Sequence, residues 1–121
     1  MIKLLEHIRR PDVSFFYDGK IEITARITNT LSLNPGDAIN IMSHEGEFYL
    51  FANNTSEIGK YHAQCYPTKK GSRNFRAHSS VLCRNVMRAC GVSTSKVALA
   101  CGEPVSISGK IYLPLITKNP L

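Results

Sequence analysis

Short hydrophobic runs separated by turn-forming residues organise the first half of the chain. Val13–Tyr17 and Lys20–Thr24 have the residue types of β-strands, and the Asp18-Gly19 pair between them readily adopts the positive φ angles of a type I′ turn. The pattern therefore predicts a β-hairpin. The other elements predicted in this half are a short helix over 25–31, a turn over 33–37, a strand over 39–41, a turn over 43–46 and a strand over 47–52.

The second half repeats this order of elements. Ser79 or Ser80 is suited to cap a helix over Val81–Cys90, whose apolar residues share one face, and Gly91 suits the left-handed position that follows a helix. Because the two halves match in pattern, although with few identical residues, we expect an internal duplication. The strands predicted after this helix are 97–101, 105–107 and 111–116.

The length of the chain limits how the two halves can fold. With 121 residues, of which 43% are hydrophobic and 20% charged, the sequence is typical of one globular domain. A unit of about 45 residues cannot bury enough apolar surface to be stable alone, so the two halves would share one core. The segment 54–73 between them is polar and contains Asn, Gly and Pro, which predicts a linker.

The segment Gly19–Asp37 resembles the signature of the AbrB/MazE swapped-hairpin family. That signature has a glycine, a strand of alternating polar and apolar residues, a short helix ending in Leu-Gly-Leu, and a Pro-Gly-Asp turn before the next strand. Two positions depart from it, since Thr24 stands where the family usually has proline and Ser32 where it has glycine. The positions in register are Gly19, Ile21, Ile23, Ile27, Leu31, Leu33, Pro35, Gly36 and Asp37.

The resemblance implies a mainly β fold with two short helices. It would be a small β-barrel, AbrB-like or double-psi-like, built from two pseudo-repeated halves of β-hairpin, helix and hairpin. Family members usually assemble the barrel from two identical chains, whereas here the single domain 1–121 would supply both half-barrels, over about 13–53 and 74–117. Such proteins are transcription regulators or antitoxins that bind duplex DNA through basic residues at one end of the barrel. We therefore expect a non-enzymatic DNA-binding protein.

Charge is distributed unevenly along the chain. Residues 1–59 hold five Lys or Arg and eight Asp or Glu, whereas residues 60–121 hold ten and one, within a net charge of +6. A strongly basic half favours a polyanionic partner such as nucleic acid, because neutralising phosphates releases counterions. In the first half, the strand that carries the family's basic residues has only Lys20, beside Asp18 and Glu22. The candidate nucleic-acid-binding residues are therefore Lys69, Lys70, Arg73, Arg76, Arg84 and Arg88.

Two other interpretations stay open. In one, the basic half only keeps the protein soluble, and Arg84 and Arg88 solvate the outer face of their helix. In the other, the protein is an interaction module without nucleic-acid affinity, which docks a partner protein through the apolar stripe of Ile2–Ile8 as antitoxins dock toxins. A homodimer is compatible with either function.

The sequence offers no convergent set of acid, base and nucleophile. Ser93–Lys96 has an SxxK spacing without the partner motifs of that enzyme class, and Cys83 and Cys90 lie on the apolar face of their helix, where thiols are inert. No two cysteines have the CxxC spacing of a zinc site, and we expect neither metal nor cofactor. Because charged residues interrupt the first apolar run, we expect no signal or membrane segment and a cytoplasmic protein.

Overall fold

Antiparallel strands dominate the computed structural model of the chain, which describes residues 11–53, 63–118 and 120–121. Ten strands and two helices follow one another within these residues. The mainly β class with two helices, expected from the sequence, is confirmed. The elements are β1 (Val13–Phe16), β2 (Lys20–Ile23), α1 (Ala25–Thr30), β3 (Ala38–His44), β4 (Glu47–Ala52), β5 (Ala63–Gln64), β6 (Tyr66–Pro67), β7 (Phe75–His78), α2 (Ser80–Cys90), β8 (Lys96–Leu99), β9 (Val105–Ile107) and β10 (Lys110–Leu115).

The strands pair as two five-stranded antiparallel sheets. The first sheet has the order β6-β7-β2-β1-β8, and the second has the order β5-β3-β4-β10-β9. Each sheet contains strands from both halves of the chain, because β2 pairs with β7 in the first sheet and β4 pairs with β10 in the second. The two halves therefore supply each other's backbone hydrogen bonds.

The paired strands do not form the closed barrel that the sequence predicts. β5 and β6 lie on either side of Cys65 but belong to different sheets. The segment after the edge strand β8 meets the end of β10 through an isolated bridge between Cys101 and Leu115 and two neighbouring backbone hydrogen bonds, without a ladder between the described strands. A barrel requires a continuous hydrogen-bonded ladder around its whole circumference. Among the described residues the ladder is interrupted at both places, which leaves two sheets.

Part of the segment predicted as a linker over 54–73 is instead paired. β5 and β6 occupy residues 63–67, and the side chains of Ala63 and Cys65 are buried. The N–H of Cys65 donates to the carbonyl of Asp37 at 2.8 Å, and its carbonyl accepts from the N–H of Gly36 at 2.7 Å. These bonds attach the segment to the Pro-Gly-Asp turn. Strands of two residues leave no hydrophobic period in a sequence, which is why composition alone indicates a loop here.

Gly19 makes the tight turn between β1 and β2 possible. Its φ is +105°, in a region that residues other than glycine rarely adopt. Its N–H donates to the carbonyl of Phe16 at 2.9 Å. The Asp18 carboxylate accepts from the N–H of Lys20 at 3.0 Å, which closes the turn from the other side. The β-hairpin predicted from Asp18-Gly19 is confirmed, but the type I′ turn is not, because only Gly19 of the pair has a positive φ.

The second helix has the capping residues that the sequence indicates. Ser79 is extended, and its hydroxyl accepts from the N–H of Leu82 at 3.2 Å. Gly91 follows the helix with a φ of +68°, and its N–H donates to the carbonyl of Arg88. Neither helix in the described ranges is long and apolar enough to cross a membrane. The residues that α2 buries are Cys83, Val86 and Met87.

The core lies between the two sheets and the two helices. Alternate residues of β1, β2 and β7 point into it, as the burial of Val13 and Phe15 in β1 and of Ile21 and Ile23 in β2 illustrates. Both halves of the chain contribute, as the two-unit prediction requires. The largest fully buried apolar side chains are Phe15, Phe75, Ile21, Ile23, Ile27, Leu33, Ile39, Leu50, Leu99, Leu113 and Val13.

A buried carboxylate joins the two halves of the chain. Asp12 is 5% exposed and accepts from the Arg26 guanidinium at 2.6 and 3.1 Å and from the N–H of Cys101 at 2.7 Å. Its backbone accepts from the N–H of Thr24 and donates to the carbonyl of Leu99. The hydrogen bond to Asp12 holds the pKa of Arg26 above its usual value. Asp12 thus ties the entry of β1 to α1 and to the end of β8.

Candidate nucleic-acid interface

The outer face of the first sheet carries cations and an aromatic ring. Because strand residues alternate between the two faces, Phe16, Lys20 and Glu22 point away from the core while their neighbours are buried. Arg76 on β7 is exposed by the same alternation, and Lys96 is the exposed first residue of β8. We call the surface formed by Phe16, Lys20, Glu22, Arg76 and Lys96 the basic sheet face.

Register brings these side chains together. Phe16 lies directly across from Lys96, and Glu22 lies across from Arg76. The ammonium groups of Lys20 and Lys96 lie 4.1 and 5.2 Å from the centre of the Phe16 ring, within the range of cation–π contacts. A flat ring flanked by two cations is suited to contact with the phosphates or bases of a nucleic acid.

The one carboxylate of the basic sheet face is shared between two cations. Glu22 Oε1 lies 3.7 Å from the Lys20 ammonium, and Glu22 Oε2 lies 3.7 Å from the Arg76 guanidinium. All three side chains are one-third to one-half exposed, so these contacts are weak and screened by salt. The sequence alone argues against β2 as part of the nucleic-acid interface, because Glu22 would repel phosphate. The structure instead surrounds Glu22 with positive charge.

Three of the predicted residues lie in the turn between β6 and β7. Lys69, Lys70 and Arg73 are all exposed there, and Gly71 has a φ of +79°. The Arg73 guanidinium donates to the side-chain oxygen of Asn29 at 2.9 Å and lies 5.1 Å from the centre of the Phe75 ring. Arg73 is therefore held against the protein, whereas the two lysines point from the tip of the turn.

The two predicted arginines of α2 line one cleft. Arg84 and Arg88 are exposed on the polar side of the helix, four residues apart, and both border a cavity of about 710 Å³. The Arg84 guanidinium lies 5.6 Å from the centre of the Tyr17 ring. We call this cavity the helix cleft. Its lining residues are Tyr17, Arg84, Met87, Arg88, Val92, Ser93, Thr94 and Ser95.

The six predicted residues thus form three groups. Lys69, Lys70 and Arg73 share a turn, Arg76 belongs to the basic sheet face, and Arg84 and Arg88 share the helix cleft. The basic sheet face and the helix cleft are contiguous along the chain, since Phe16 precedes Tyr17 and Lys96 follows Ser95. Two contributors were missed from sequence, Phe16 and Lys96. Only the pairing of β1 with β8 places them side by side, although outward alternation in β1 already indicates that Phe16 is exposed.

Carboxylates gather on the opposite sheet. Glu45 and Glu47 lie at the tip of the β3–β4 hairpin and Glu103 precedes β9, and all three are exposed. Among the described residues, these carboxylates outnumber the cations Lys110 and Lys118 of the second sheet and its C-terminal extension, whereas cations outnumber carboxylates on the first sheet. Long-range attraction of a polyanion would orient the first sheet towards it.

The cysteines give the protein no activated nucleophile in its described residues. Burial raises the pKa of the Cys65 and Cys101 thiols to about 12 and that of Cys83 to about 11. The Cys83 thiol donates to the carbonyl of Lys20 at 3.4 Å. In the SxxK segment, the Thr94 hydroxyl donates to the carbonyl of Lys96, whose ammonium lies over Phe16. No group of His, Cys, Asp or Glu in the described ranges is arranged to hold a metal ion.

These thiol pKa values predict slow labelling by a thiol reagent. Because the thiolate is the reactive form, Cys65, Cys83 and Cys101 should resist a disulfide reagent such as DTNB at pH 8 in the folded protein. Cys90 and Cys101 are both half-buried, but the pKa of Cys90 rises less, so Cys90 should react first. Absorbance early in the reaction should report one thiol or fewer in buffer and all four in denaturant. Rapid reaction of three or more thiols in buffer would contradict the burial described above.

No protein-family model matches the chain, and no curated protein or solved structure matches it. The family resemblance therefore rests on Gly19–Asp37 themselves, and the function has to be inferred from the surface of the protein. The predicted docking stripe of Ile2–Ile8 lies outside the described residues.

Proposed function

We propose that this chain is a non-enzymatic DNA-binding protein, a transcription regulator of AbrB-like type. It binds duplex DNA through the basic sheet face, the β6–β7 turn and the arginines of α2. The observation that carries the proposal is the separation of charge between the two sheets. The cations on the binding side are Lys20, Lys69, Lys70, Arg73, Arg76, Arg84, Arg88 and Lys96, and the carboxylates on the same elements are Asp18 and Glu22.

The number of these cations suits a duplex. Proteins that make about 6–10 phosphate contacts lose affinity steeply as salt rises, because each contact releases counterions. Eight exposed or half-exposed cations over a turn, a sheet face and a helix are comparable to that number. Arginines four residues apart on one helix contact successive phosphates or reach guanine edges in the major groove. Phosphate contacts would position the protein, and the arginines of α2 would provide base recognition.

An internal duplication of AbrB-like units is part of the same proposal. Repeated local geometry supports it, because a left-handed residue closes each helix: Ser32, two residues beyond the end of α1, with a φ of +54°, and Gly91, directly after α2, with +68°. The hydrogen bonds that end the helices also match, from Leu33 N–H to Thr28 and from Val92 N–H to Met87. The hairpin turns Glu45-Gly46 and Ser108-Gly109 both have two positive φ angles.

Pairing between the halves supports the duplication as well. Under a pseudo-twofold relation, β2 would correspond to β7 and β4 to β10, and each strand should pair antiparallel with its own counterpart. These are the β2–β7 and β4–β10 pairs of the two sheets. A dimer of identical chains would generate such self-complementary pairs by symmetry. In this proposal one chain provides both members.

The test is salt-dependent binding of a short fluorescent duplex, measured by anisotropy. The wild-type protein should bind at low salt, and log affinity should fall linearly with log salt concentration. Replacing Lys69 and Lys70 together by Gln should weaken binding by about tenfold or more at 0.1 M salt and reduce the slope by about 2. No binding at low salt, or binding indifferent to salt, would disprove the proposal.

A matched control separates the proposed interface from net charge. Lys110→Gln with Lys118→Gln removes the same two charges, but Lys110 lies on the second sheet, beside Phe51, and Lys118 follows β10. This variant should keep most of the wild-type affinity and salt slope. If it weakens binding as much as the turn variant, attraction is a property of overall charge and the interface is not where we place it.

A further inference from the structure

The helix cleft has the size and shape of a small-molecule site. Its volume of about 710 Å³ lies within the range of about 300–1,000 Å³ that is usual for ligand pockets. Three parts of the chain form its walls: α2, the segment Val92–Ser95 that follows it, and Tyr17 at the end of β1. The N–H of Tyr17 donates to the carbonyl of Ser95 at 2.9 Å, which fixes two of these walls to each other.

The charge of the helix cleft selects an anion. Arg84 and Arg88 line it, and no carboxylate does. Within the described part of the chain, no carboxylate oxygen lies within 4 Å of either guanidinium. The nearby C-terminus of α2 carries a partial negative charge of about half a unit, but the N–H groups of Gly91 and Val92 cap its carbonyls. Two full positive charges outweigh that contribution.

The rest of the lining divides into a polar and an apolar part. Ser93, Thr94 and Ser95 present hydroxyls along one wall, and Thr94 already uses its proton in a bond to the carbonyl of Lys96. Met87, which is almost fully buried, and Val92 provide an apolar floor, and the exposed ring of Tyr17 stands beside it. A ligand that fits both parts carries a phosphate at one end and a flat apolar ring at the other.

We propose that the helix cleft binds a small phosphate monoester with a planar ring, of the nucleoside monophosphate class. Arg84 and Arg88 hold the phosphate oxygens through charge-assisted hydrogen bonds, with the hydroxyls of Ser93 and Ser95 as further donors. The ring lies on Met87 and Val92. Arg84 and Arg88 also belong to the proposed DNA interface, but the ligand of the cleft is a free small molecule, so its binding is measured without DNA.

Calorimetric titration of the full chain with AMP, ribose 5-phosphate, adenosine and inorganic phosphate tests both parts of the cleft. AMP should bind most tightly. Adenosine, which lacks the phosphate, should bind at least tenfold more weakly, and so should inorganic phosphate, which lacks the ring. Equal affinity for AMP and ribose 5-phosphate would overturn the role of the apolar floor. No heat of binding with AMP at millimolar concentration would overturn the site.

Two double variants locate the binding. Arg84→Gln with Arg88→Gln should reduce AMP affinity at least tenfold, while Lys69→Gln with Lys70→Gln, which removes the same charge from the β6–β7 turn, should change it less than twofold. Circular dichroism should show both variants folded, since all four side chains are exposed. Equal losses in the two variants would overturn the assignment to the cleft. In the wild-type protein, AMP binding without DNA binding would contradict only the proposed function, and DNA binding without AMP binding would contradict only the cleft.

Discussion

Replacing Asp12 by Ala is expected to lower the free energy of unfolding by about 3 kcal/mol. The carboxylate is 5% exposed and accepts three hydrogen bonds, two from Arg26 and one from the N–H of Cys101. Removing one partner of a buried ion pair costs about 3–5 kcal/mol. The Arg26 side chain is 64% exposed and can regain water, which places the expected loss at the lower end. The N–H of Cys101 would stay unpaired inside the protein.

Urea unfolding followed by circular dichroism measures this loss. Glu103→Ala is a suitable control, because it also removes one negative charge but from an exposed position, and it should change the free energy of unfolding by less than about 0.5 kcal/mol. Asp12→Asn should fall between the two, since its amide oxygen can still accept from Cys101. A loss below about 1 kcal/mol for Asp12→Ala would show that the carboxylate does not join the two halves as described.

Replacing Gly19 by Ala is expected to lower the free energy of unfolding by about 2–3 kcal/mol. At a φ of +105° an alanine is strained by about 1–3 kcal/mol. Its Cβ would also lie 2.6 Å from Cε1 of His78 and 2.8 Å from the hydroxyl oxygen of Ser80, closer than atoms can pack. His78 is exposed and can move aside, whereas Ser80 is held in the first turn of α2. The backbone strain and the steric clash of the Cβ therefore add in part.

Gly109→Ala is a control that introduces the backbone strain of a positive φ without the steric clash expected at Gly19. Gly109 has a φ of +79°, but nothing lies within 4 Å of the position that a Cβ would take. Thermal and urea unfolding should show a smaller loss there, of about 1–2 kcal/mol. Adding His78→Ala to the Gly19→Ala variant should restore part of the stability. If Gly19→Ala is no less stable than Gly109→Ala, the close approach of β2 and β7 at this turn is not tight.

Local elements could be predicted because their signals lie within a few residues. Asp18-Gly19 indicates the first hairpin, Ser79 and Gly91 mark the ends of α2, and the strands 47–52 and 105–107 have the predicted bounds. The hairpin turn and the ends of α2 depend on the preference of a single residue, such as a positive φ or a side chain that caps an N–H. Such preferences act before any tertiary contact forms.

Pairing across the chain could not be predicted in the same way. β5 and β6 are strands only because β3 and β7 lie beside them, and neither has a hydrophobic period of its own. Likewise, the interruption at Cys65 that leaves two sheets depends on contacts between distant residues. Propensity carries little information where tertiary pairing decides the conformation.

The candidate site was predicted in its charge but not in its shape. Lys69, Lys70 and Arg73 follow directly from a basic run in the sequence, and Arg84 and Arg88 follow from helical spacing. The contact of Phe16 with Lys96 requires the pairing of β1 with β8, and the helix cleft requires Tyr17 to reach α2. Composition shows how much charge a chain carries, whereas only the fold shows which residues lie beside each charged side chain.

The exchange of strands between the halves has a consequence for synthesis on the ribosome. β1 is translated well before one of its partners, β8, since Val13 pairs with Leu99 far along the sequence. β4 likewise pairs with β10, which is translated much later. Contacts so distant in sequence form slowly, because a long loop must close first. The nascent chain therefore exposes unpaired strand edges until β8 and β10 have been synthesised, which makes it a natural client for chaperones that shield such edges.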